Sequence, residues 1–269
     1  MNLESAPILT SGALFPICQI DGRRGVGAMA EMFPRIRACG DSMLSVELAD
    51  HIDDNVNRRI IALFDELSLN RVAGIEEMAP TYRSLSVIYD PAIIRGGALA
   101  DALQKRLQAL SVTDTSSRCF SVPVVYGGAV GIDLDELARM KDMTTTELVN
   151  LHASAEYRVY MIGFAPGFAY LGGLPDALHT PRLAAPRQRI EASAIGIGGK
   201  QASINSVPGP SGWRFIGRTP VRLFDPHRTP PFLLMAGDRI RFRPIGEAEA
   251  ARLDMMVAAG QTVLEPEVA

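Results

Sequence analysis

The sequence has few cysteines and no long apolar run. Its three cysteines, Cys18, Cys39 and Cys119, are far apart and form no CxxC pair, which argues against a disulfide framework and a thiolate metal site. No apolar stretch approaches the roughly 20 residues that cross a bilayer. The first ten residues also lack the basic-then-apolar order of a secretory signal. We therefore expect a cytoplasmic protein with no membrane partner.

An excess of positive charge is absent too. Lys and Arg total 27 against 30 Asp and Glu, giving a net charge of -3, so nucleic-acid binding is disfavoured. The four histidines show neither HxxxH nor HExxH spacing, so we expect no metal site and assign each histidine a structural role. With 47% hydrophobic and 21% charged residues in a chain of 269, two packed globular domains are expected.

The first 31 residues show no clear hydrophobic period. They contain three glycines close to Arg23 and Arg24, a composition that predicts a flexible N-terminal arm over residues 1–31. The alternative is that Met29 or Met32 is the true start of the chain.

Residues 32–118 have the pattern of a small α+β domain. The predicted order is strand, helix, strand, strand, helix. The first helix has its apolar residues at spacings of three and four, which predicts one buried face: Ile52, Val56, Ile60, Leu63, Phe64 and Leu67.

Residues 119–246 are predicted to form a β-barrel domain. A helical linker is expected over 131–155, where Thr144 and Glu147 have the spacing of a capping box. From Glu156 onward, Gly and Pro interrupt short apolar runs, as in a closed barrel of short strands. Residues 247–269 are expected to form a C-terminal helix and tail, which completes an α+β fold.

The predicted barrel is locally basic. From Arg158 to Arg243 there are twelve Lys or Arg, eleven of them Arg, against four acids. Because the guanidinium group suits carboxylate and phosphate oxygens, this excess favours an anionic ligand or an acidic partner surface. Arg239, Arg241 and Arg243 are set apart, since they alternate with apolar residues and fit the solvent face of a strand.

Three glycine-rich turns interrupt this region, at 163–168, 196–201 and 209–219. Exposed backbone N–H groups beside a side-chain donor are the components of an oxyanion or phosphate nest. None of the turns matches GxxxxGK[ST] or GxGxxG. The first turn is equally compatible with a tight barrel corner that has no ligand.

Several motifs identify a family. Residues 156–174, EYRVYMIGFAPGFAYLGGL, are followed in order by Thr180-Pro181-Arg182 with Pro186-Arg187, Gly199 with Gln201, and Gly212-Trp213 leading to residues 216–226. This series resembles the allophanate hydrolase subunit 1 family, also known as the B-type subunit of 5-oxoprolinase, as Kip-type histidine-kinase inhibitors and as carboxyltransferase subdomains C and D. The resemblance covers about residues 32–246.

The resemblance implies a fold, an activity and partners. The fold is a small α+β domain joined to a cyclophilin-like β-barrel. The activity is that of an ATP-dependent lactam or amide hydrolase that converts 5-oxoproline to glutamate and is inactive without its partner. The partners are a sister subunit with a similar barrel, which is the C-type subunit of 5-oxoprolinase or allophanate hydrolase subunit 2, and a third, lactam-binding subunit. ATP with Mg would act in the assembled complex, with no cofactor held tightly by this chain alone.

The matching motifs supply candidate site residues. The expected catalytic residues are Arg187, Arg218 and Gln201. The expected substrate-binding residues are Gly163, Phe164, Pro166, Gly167, Tyr170, Gly199, Lys200, Trp213 and Thr219. Lys200 departs from the Gly-Gly-Gln triplet common in relatives, which puts the substrate in question.

Two other functions fit the same family. As a Kip-type regulator, the chain would bind a sensor histidine kinase through its arginine-rich barrel and would show binding without turnover. As a carboxyltransferase half of a biotin-dependent urea carboxylase or allophanate pathway, it would need other chains, because the sequence contains no biotin-acceptor or ATP-grasp region.

Overall fold

A computed structural model describes residues 33–112 and 118–267. The predicted arm over residues 1–31 lies outside the described residues. From Phe33 onward the chain forms one compact unit that contains two large hydrophobic cores, one in an N-terminal sheet layer and one in a barrel. The predicted division into domains at residue 118 stays a prediction.

The N-terminal layer is a four-stranded antiparallel sheet with two helices. Its strands are β1 Arg35–Ala38, β2 Met43–Glu47, β3 Ile75–Pro80 and β4 Ser84–Tyr89, in the order β1-β2-β4-β3, and its helices are α1 Asp54–Leu69 and α2 Gly96–Ala109. Leu44 and Val46 alternate with more exposed neighbours, so one face of the sheet is buried. The predicted element order omitted β1, a short edge strand with three polar or small residues among its four.

The first helix begins at a side-chain cap. The Asp53 carboxylate accepts the backbone N–H groups of Asn55 at 2.9 Å and Val56 at 3.1 Å, which satisfies donors that the first turn leaves free. Ile60 and Leu67 are fully buried, as predicted. Ile52 precedes the cap and is 49% exposed, so its predicted place on the buried helix face is wrong.

The barrel closes from seven strands, and this confirms the α+β class. They are β5 Cys119–Tyr126, β6 Glu156–Ile162, β7 Ala169–Gly172, β9 Ala194–Gly198, β10 Gln201–Ile204, β12 Arg214–Arg218 and β13 Arg239–Pro244. The order is β10-β7-β6-β13-β5-β12-β9, with β13 and β5 parallel and every other pair antiparallel. The resemblance to cyclophilin stays a prediction.

The helical linker belongs to the barrel core. It contains α3 Leu134–Met140 and α4 Thr145–Ser154, and the capping box of Thr144 and Glu147 is present as predicted. Leu137 and Leu148 are fully buried in the barrel core, and the His152 ring stacks on Phe242 with centroids 4.7 Å apart. These helices therefore fill the barrel's core rather than only joining its parts.

The remaining elements lie outside the barrel wall. Strands β8 Arg187–Ile190 and β11 Gly209–Ser211 form a separate pair, and helix α5 Glu247–Ala258 contacts β5. Cys119 is buried, as predicted. Along β13, Ile240 and Phe242 are buried, whereas Arg239 is half-buried and Arg241 and Arg243 are exposed, which confirms the solvent-face assignment of the three arginines. Within the described ranges, no helix is long and apolar enough to cross a membrane.

Candidate functional site

One buried asparagine fixes the N-terminal layer against the barrel. Asn57 on α1 is fully buried. Its Nδ2 lies 3.1 Å from the carbonyl oxygens of Thr81 and Tyr160 and 3.3 Å from that of Tyr82. Because Tyr160 belongs to β6 and Tyr82 to the turn between β3 and β4, this amide holds the turn against the barrel wall.

The turn places the Tyr82 ring between two barrel tyrosines. Its centroid lies 6.3 Å from that of Tyr160 and 5.6 Å from that of Tyr170, both in edge-to-face arrangement. Burial raises the pKa of Tyr82 far above its ordinary value, although Gln201 and Arg182 lower it. Burial also raises the pKa of Tyr160 to about 12. Both phenols therefore stay protonated at neutral pH and are available as hydrogen-bond donors.

Beside these tyrosines lies a cavity of about 360 Å³ between the N-terminal layer and the outer face of the barrel. Its polar lining is cationic or neutral, and its lining residues include no carboxylate. The exposed Asp176 lies 3.4 Å from the ring of the lining residue His179 but does not itself line the cavity. The lining consists of Ile52, Tyr160, Gly172, Gly173, Leu174, His179, Arg182, Gly198, Gly199, Lys200 and Gln201. This composition favours an anion.

Gln201 supplies a buried donor to this cavity. It begins β10 and is only 8% exposed. Its side-chain amide is near enough to the Tyr82 phenol to lower the pKa of that group, but no described residue pairs with its Nε2 in hydrogen-bonding geometry. Because a buried donor is costly to leave unpaired, an acceptor oxygen in the cavity would satisfy it. Of the three predicted catalytic residues, Gln201 alone lines the cavity, together with the predicted binding residues Gly199 and Lys200.

Arg182 is held at the cavity by the indole of Trp213. Its guanidinium carbon lies 4.9 Å from the Trp213 ring centroid, a cation–π contact. The indole in turn lies directly on β9, because a Cβ on Gly198 would be 2.7 Å from the indole Cδ2. The glycine at 198 is thus required for this close approach rather than for a ligand's backbone contacts.

Arg187 does not reach the cavity. It donates to both carboxylate oxygens of Asp133, one at 2.9 Å, and to the Trp213 carbonyl at 3.4 Å. Asp133 is 1% exposed and also accepts the Phe215 backbone N–H at 2.7 Å. Asp133 is therefore a buried acceptor that joins β8 to β12, and three of the five N–H donors of Arg187 are already used in this place. The sequence-based expectation that this arginine holds an anionic ligand is corrected accordingly.

Arg218 is also paired, at another place. It donates to both oxygens of Asp254 on α5, one at 2.9 Å. Phe215 and Arg218 are three residues apart on β12, or roughly 10 Å along a strand. The two arginines that were expected to converge on one anion are therefore separate and each carries its own carboxylate. Thr219 is fully buried, and its hydroxyl accepts the Val221 backbone N–H at 3.2 Å.

The turn at 163–168 lies at the far end of the same strands. Ile204 pairs with Ala169 at that end, whereas Ala202 pairs with Leu171, next to Gln201. The four residues of β7 separate this turn from the cavity, roughly 13 Å at about 3.3 Å per residue. Gly163, Phe164, Pro166 and Gly167 are therefore not cavity residues. The expectation that the glycine turns enclose one anion does not hold.

Phe164 gives this distant turn a surface of its own. It has a positive φ of 70° and is 72% exposed, a strained conformation for a bulky side chain. Beside it runs a groove of about 150 Å³, also lined by Phe168, Asn205 and Pro208. Asn205 is 4% exposed, and its Oδ1 has no hydrogen-bond partner within the described chain.

The sequence did not single out the lining residues Tyr160, His179 and Arg182, nor Tyr82, which packs beside the cavity. Arg182 stood in a matching motif but was not chosen. Tyr82 had no local signal, because its part in the site depends on packing between the N-terminal layer and the barrel. No group of three or more His, Cys, Asp or Glu side chains among the described residues is arranged to hold a metal ion.

The protein family described as carboxyltransferase domain, subdomain C and D, matches residues 34–234 of this chain. The B-type subunit of 5-oxoprolinase from Bacillus subtilis is 34% identical over 80% of this chain and 94% of its own length. The protein of the same name from Escherichia coli O157:H7 is 38% identical over 76% of this chain and 93% of its own length.

Two solved structures share the fold. The crystal structure of TTHA0988 is 33% identical over 79% of this chain with a TM-score of 0.68, and the match spans 40% of that longer protein. The urea amidolyase of K. lactis, at 22% identity and a TM-score of 0.71 over 86% of this chain and 16% of its own, shares the architecture alone. The chain belongs to the carboxyltransferase-domain family of subdomains C and D, together with proteins named as the B-type subunit of 5-oxoprolinase.

Proposed function

We propose that the chain is one subunit of an ATP-dependent 5-oxoprolinase that converts 5-oxoproline to glutamate together with a sister carboxyltransferase-like subunit. The observation that carries this proposal is the cavity between the N-terminal layer and the barrel, with Arg182, Lys200 and Gln201 in its wall and no carboxylate in its lining. The names of the relatives supply the reaction. The cavity supplies a place for an anionic reactant on this chain.

The chemistry of lactam opening fits donors of this kind. Resonance stabilises the amide bond, and phosphorylation of the amide oxygen at the expense of ATP weakens it. The phosphorylated lactam and the oxyanion formed on water attack both carry negative charge that fixed N–H donors stabilise. In this account Arg182 and Gln201 are such donors, and they replace the sequence-based choice of Arg187 and Arg218.

The surface around Phe164 supports a requirement for a partner chain. The Phe164 ring is 72% exposed in a strained backbone conformation and makes an edge-to-face contact with Phe168 at a centroid distance of 5.7 Å. Exposed aromatic side chains beside a pocket are typical of the centres of protein interfaces. We assign this surface to the sister subunit, and a third, lactam-binding subunit would complete the enzyme.

The nucleotide belongs to the assembled complex in this proposal. Mg²⁺ with ATP is normally held by carboxylates together with the phosphate oxygens, and the cavity lining offers none. We therefore place Mg-ATP on the partner or at the interface with it, and expect the chain alone to release no glutamate.

The test is reconstitution. The chain is coexpressed with a sister carboxyltransferase-like subunit and a lactam-binding subunit of the 5-oxoprolinase type, and glutamate release from 5-oxoproline is measured with and without ATP. Release is expected only from the full complex and only with ATP. Release from this chain alone, or from a complex without ATP, would overturn the proposal.

A further inference from the structure

We infer that the cavity of this chain binds a small carboxylic acid that also has a neutral carbonyl group, without help from a partner. The carboxylate would lie against Arg182 and Lys200, and the carbonyl oxygen would accept the Gln201 Nε2 hydrogen. This inference rests on the proposed function for the choice of 5-oxoproline as the natural ligand of that class.

Arg182 differs in its pairing from the arginines that follow it up to residue 243. All nine arginines from residue 187 to residue 243 are paired with a carboxylate or with backbone carbonyls: Arg187, Arg189, Arg214, Arg218, Arg222, Arg228, Arg239, Arg241 and Arg243. Arg182 has no ion pair or hydrogen bond with any described residue. Its guanidinium group instead makes a cation–π contact with the Trp213 ring. A stacked guanidinium keeps its edge N–H groups available for a carboxylate.

The Gln201 amide offers a second donor, because no described residue pairs with its Nε2 in hydrogen-bonding geometry. This side chain is more than nine-tenths buried and lines the same cavity as Arg182. Its Nε2 is an uncharged donor, which matches a neutral acceptor such as a lactam carbonyl. Arg182 and Lys200 supply positive charge, and Gln201 supplies a separate neutral donor. Together they favour a ligand that has one anionic and one neutral oxygen group.

The cavity limits the size and charge of the ligand. A cavity of about 360 Å³ falls at the lower end of small-molecule sites. Its lining has no carboxylate for a magnesium ion or an ammonium group. A compact acid without an amine suits it better than Mg-ATP or a free amino acid.

The chain contains its own reporter of binding. Trp213 is the single tryptophan in the sequence, and Arg182 stacks on its ring. An anion that engages Arg182 will change the charge felt by the indole. Intrinsic fluorescence therefore reports occupancy of this cavity directly, with no need for turnover.

The experiment titrates the isolated full-length chain with 5-oxoproline, cyclopentanecarboxylate, inorganic phosphate and Mg-ATP while Trp213 emission is followed. The two acids share ring size and carboxylate, but only 5-oxoproline has the lactam carbonyl. We expect saturable binding of 5-oxoproline and weaker binding of cyclopentanecarboxylate. Arg182→Gln should weaken the binding of both acids by about tenfold or more. Arg189 is a surface residue paired with Glu191, and Arg189→Gln, the control, should leave both affinities unchanged.

Gln201→Ala separates the two ends of the ligand. It should lower the affinity for 5-oxoproline to that for cyclopentanecarboxylate and leave cyclopentanecarboxylate unaffected. Four results would each overturn the inference. They are an equal loss of affinity for both acids in Gln201→Ala, unchanged binding in Arg182→Gln, no saturable binding of 5-oxoproline, and tighter binding of phosphate or Mg-ATP. If 5-oxoproline binds but the reconstituted complex releases no glutamate, the proposed function fails and the site stands. If glutamate is released without binding at this cavity, the site fails and the proposed function stands.

Discussion

The Arg182 guanidinium lies on the Trp213 indole at 4.9 Å from the ring centroid, and it faces a cavity whose lining has no carboxylate. Trp213 occupies its position because Gly196 and Gly198 leave the outer face of β9 bare. The Trp213 ring thus positions the Arg182 guanidinium, and Gly196 and Gly198 allow the ring to lie where it does. Because of this ordering, a substitution that removes no charge can still disturb the site.

Gly198→Ala tests that sensitivity. A Cβ at this position would lie 2.7 Å from the indole Cδ2, so the indole must move away and Arg182 loses its support. We expect a shift of Trp213 emission and weaker binding of 5-oxoproline. The control is Gly209→Ala, where an added Cβ meets nothing within 4 Å. Equal emission spectra and affinities for the two variants would contradict this ordering.

Arg187 and Arg218 should differ in their contribution to stability. Arg187→Ala leaves the carboxylate of Asp133, which is 1% exposed, without its cation, and removal of one partner of a buried pair costs about 3–5 kcal/mol. Arg218→Ala breaks a pair whose side chains are 32% and 40% exposed, which costs about 0–1 kcal/mol. Urea unfolding measures both. Similar losses in the two variants would show that Asp133 is not the buried acceptor described above.

His152 should make the folded protein sensitive to acid. Burial lowers its pKa from 6.5 to about 3. Between these values the unfolded chain binds a proton that the folded chain does not, so stability is complete above pH 6.5 and declines as the pH falls toward 3. The slope is up to about 1.4 kcal/mol per pH unit.

Unfolding free energies at several pH values between 6.5 and 4.5 check this expectation. His152→Gln, which removes the titrating ring, should flatten the profile. His227→Gln is the matched control at an exposed histidine and should keep the wild-type slope. A wild-type slope in His152→Gln would assign the acid sensitivity to other groups.

Phe164 should matter for assembly more than for folding. Because its ring is 72% exposed, Phe164→Ala should change the unfolding free energy by less than about 1 kcal/mol. Loss of a central aromatic contact should weaken capture of the sister subunit by about tenfold or more. Titration of the two subunits measures this. Met255→Ala, at a 67% exposed side chain on α5, is the control, and a similar weakening there would place the interface elsewhere.

Strong hydrophobic periodicity made much of the fold predictable. Ile60, Leu63 and Leu67 recur at helical spacing and are fully buried in α1, and the capping box at Thr144 forms as expected. Strand β1 was missed because Arg35–Ala38 is an edge strand of only 4 residues, too short for its alternation to indicate a strand. The burial of His152 was missed because its stacking on Phe242 joins residues 90 positions apart in the sequence.

The site was harder to predict because a sequence does not show which arginines are paired with a carboxylate. The local excess of positive charge was visible, but the partner of Arg187 is Asp133, 54 residues away, in a segment that was read as linker. Pairing removes Arg187 and Arg218 from the candidates and leaves Arg182, and only coordinates reveal pairing. Gln201 and Lys200 were found because their turn follows a glycine pair in the matching motif.

The most direct test of the account compares Arg182→Gln with Arg218→Gln in the reconstituted complex, with ATP-dependent glutamate release measured over a range of 5-oxoproline concentrations. Loss of a charged hydrogen-bond donor at the reacting site should lower kcat/KM of Arg182→Gln by about 10²–10³-fold, with assembly intact. The kcat/KM of Arg218→Gln should remain close to that of the wild type, because the Arg218 guanidinium is paired with Asp254. The reverse pattern, with Arg218→Gln inactive and Arg182→Gln unaffected, would contradict the assignment of the cavity as the site.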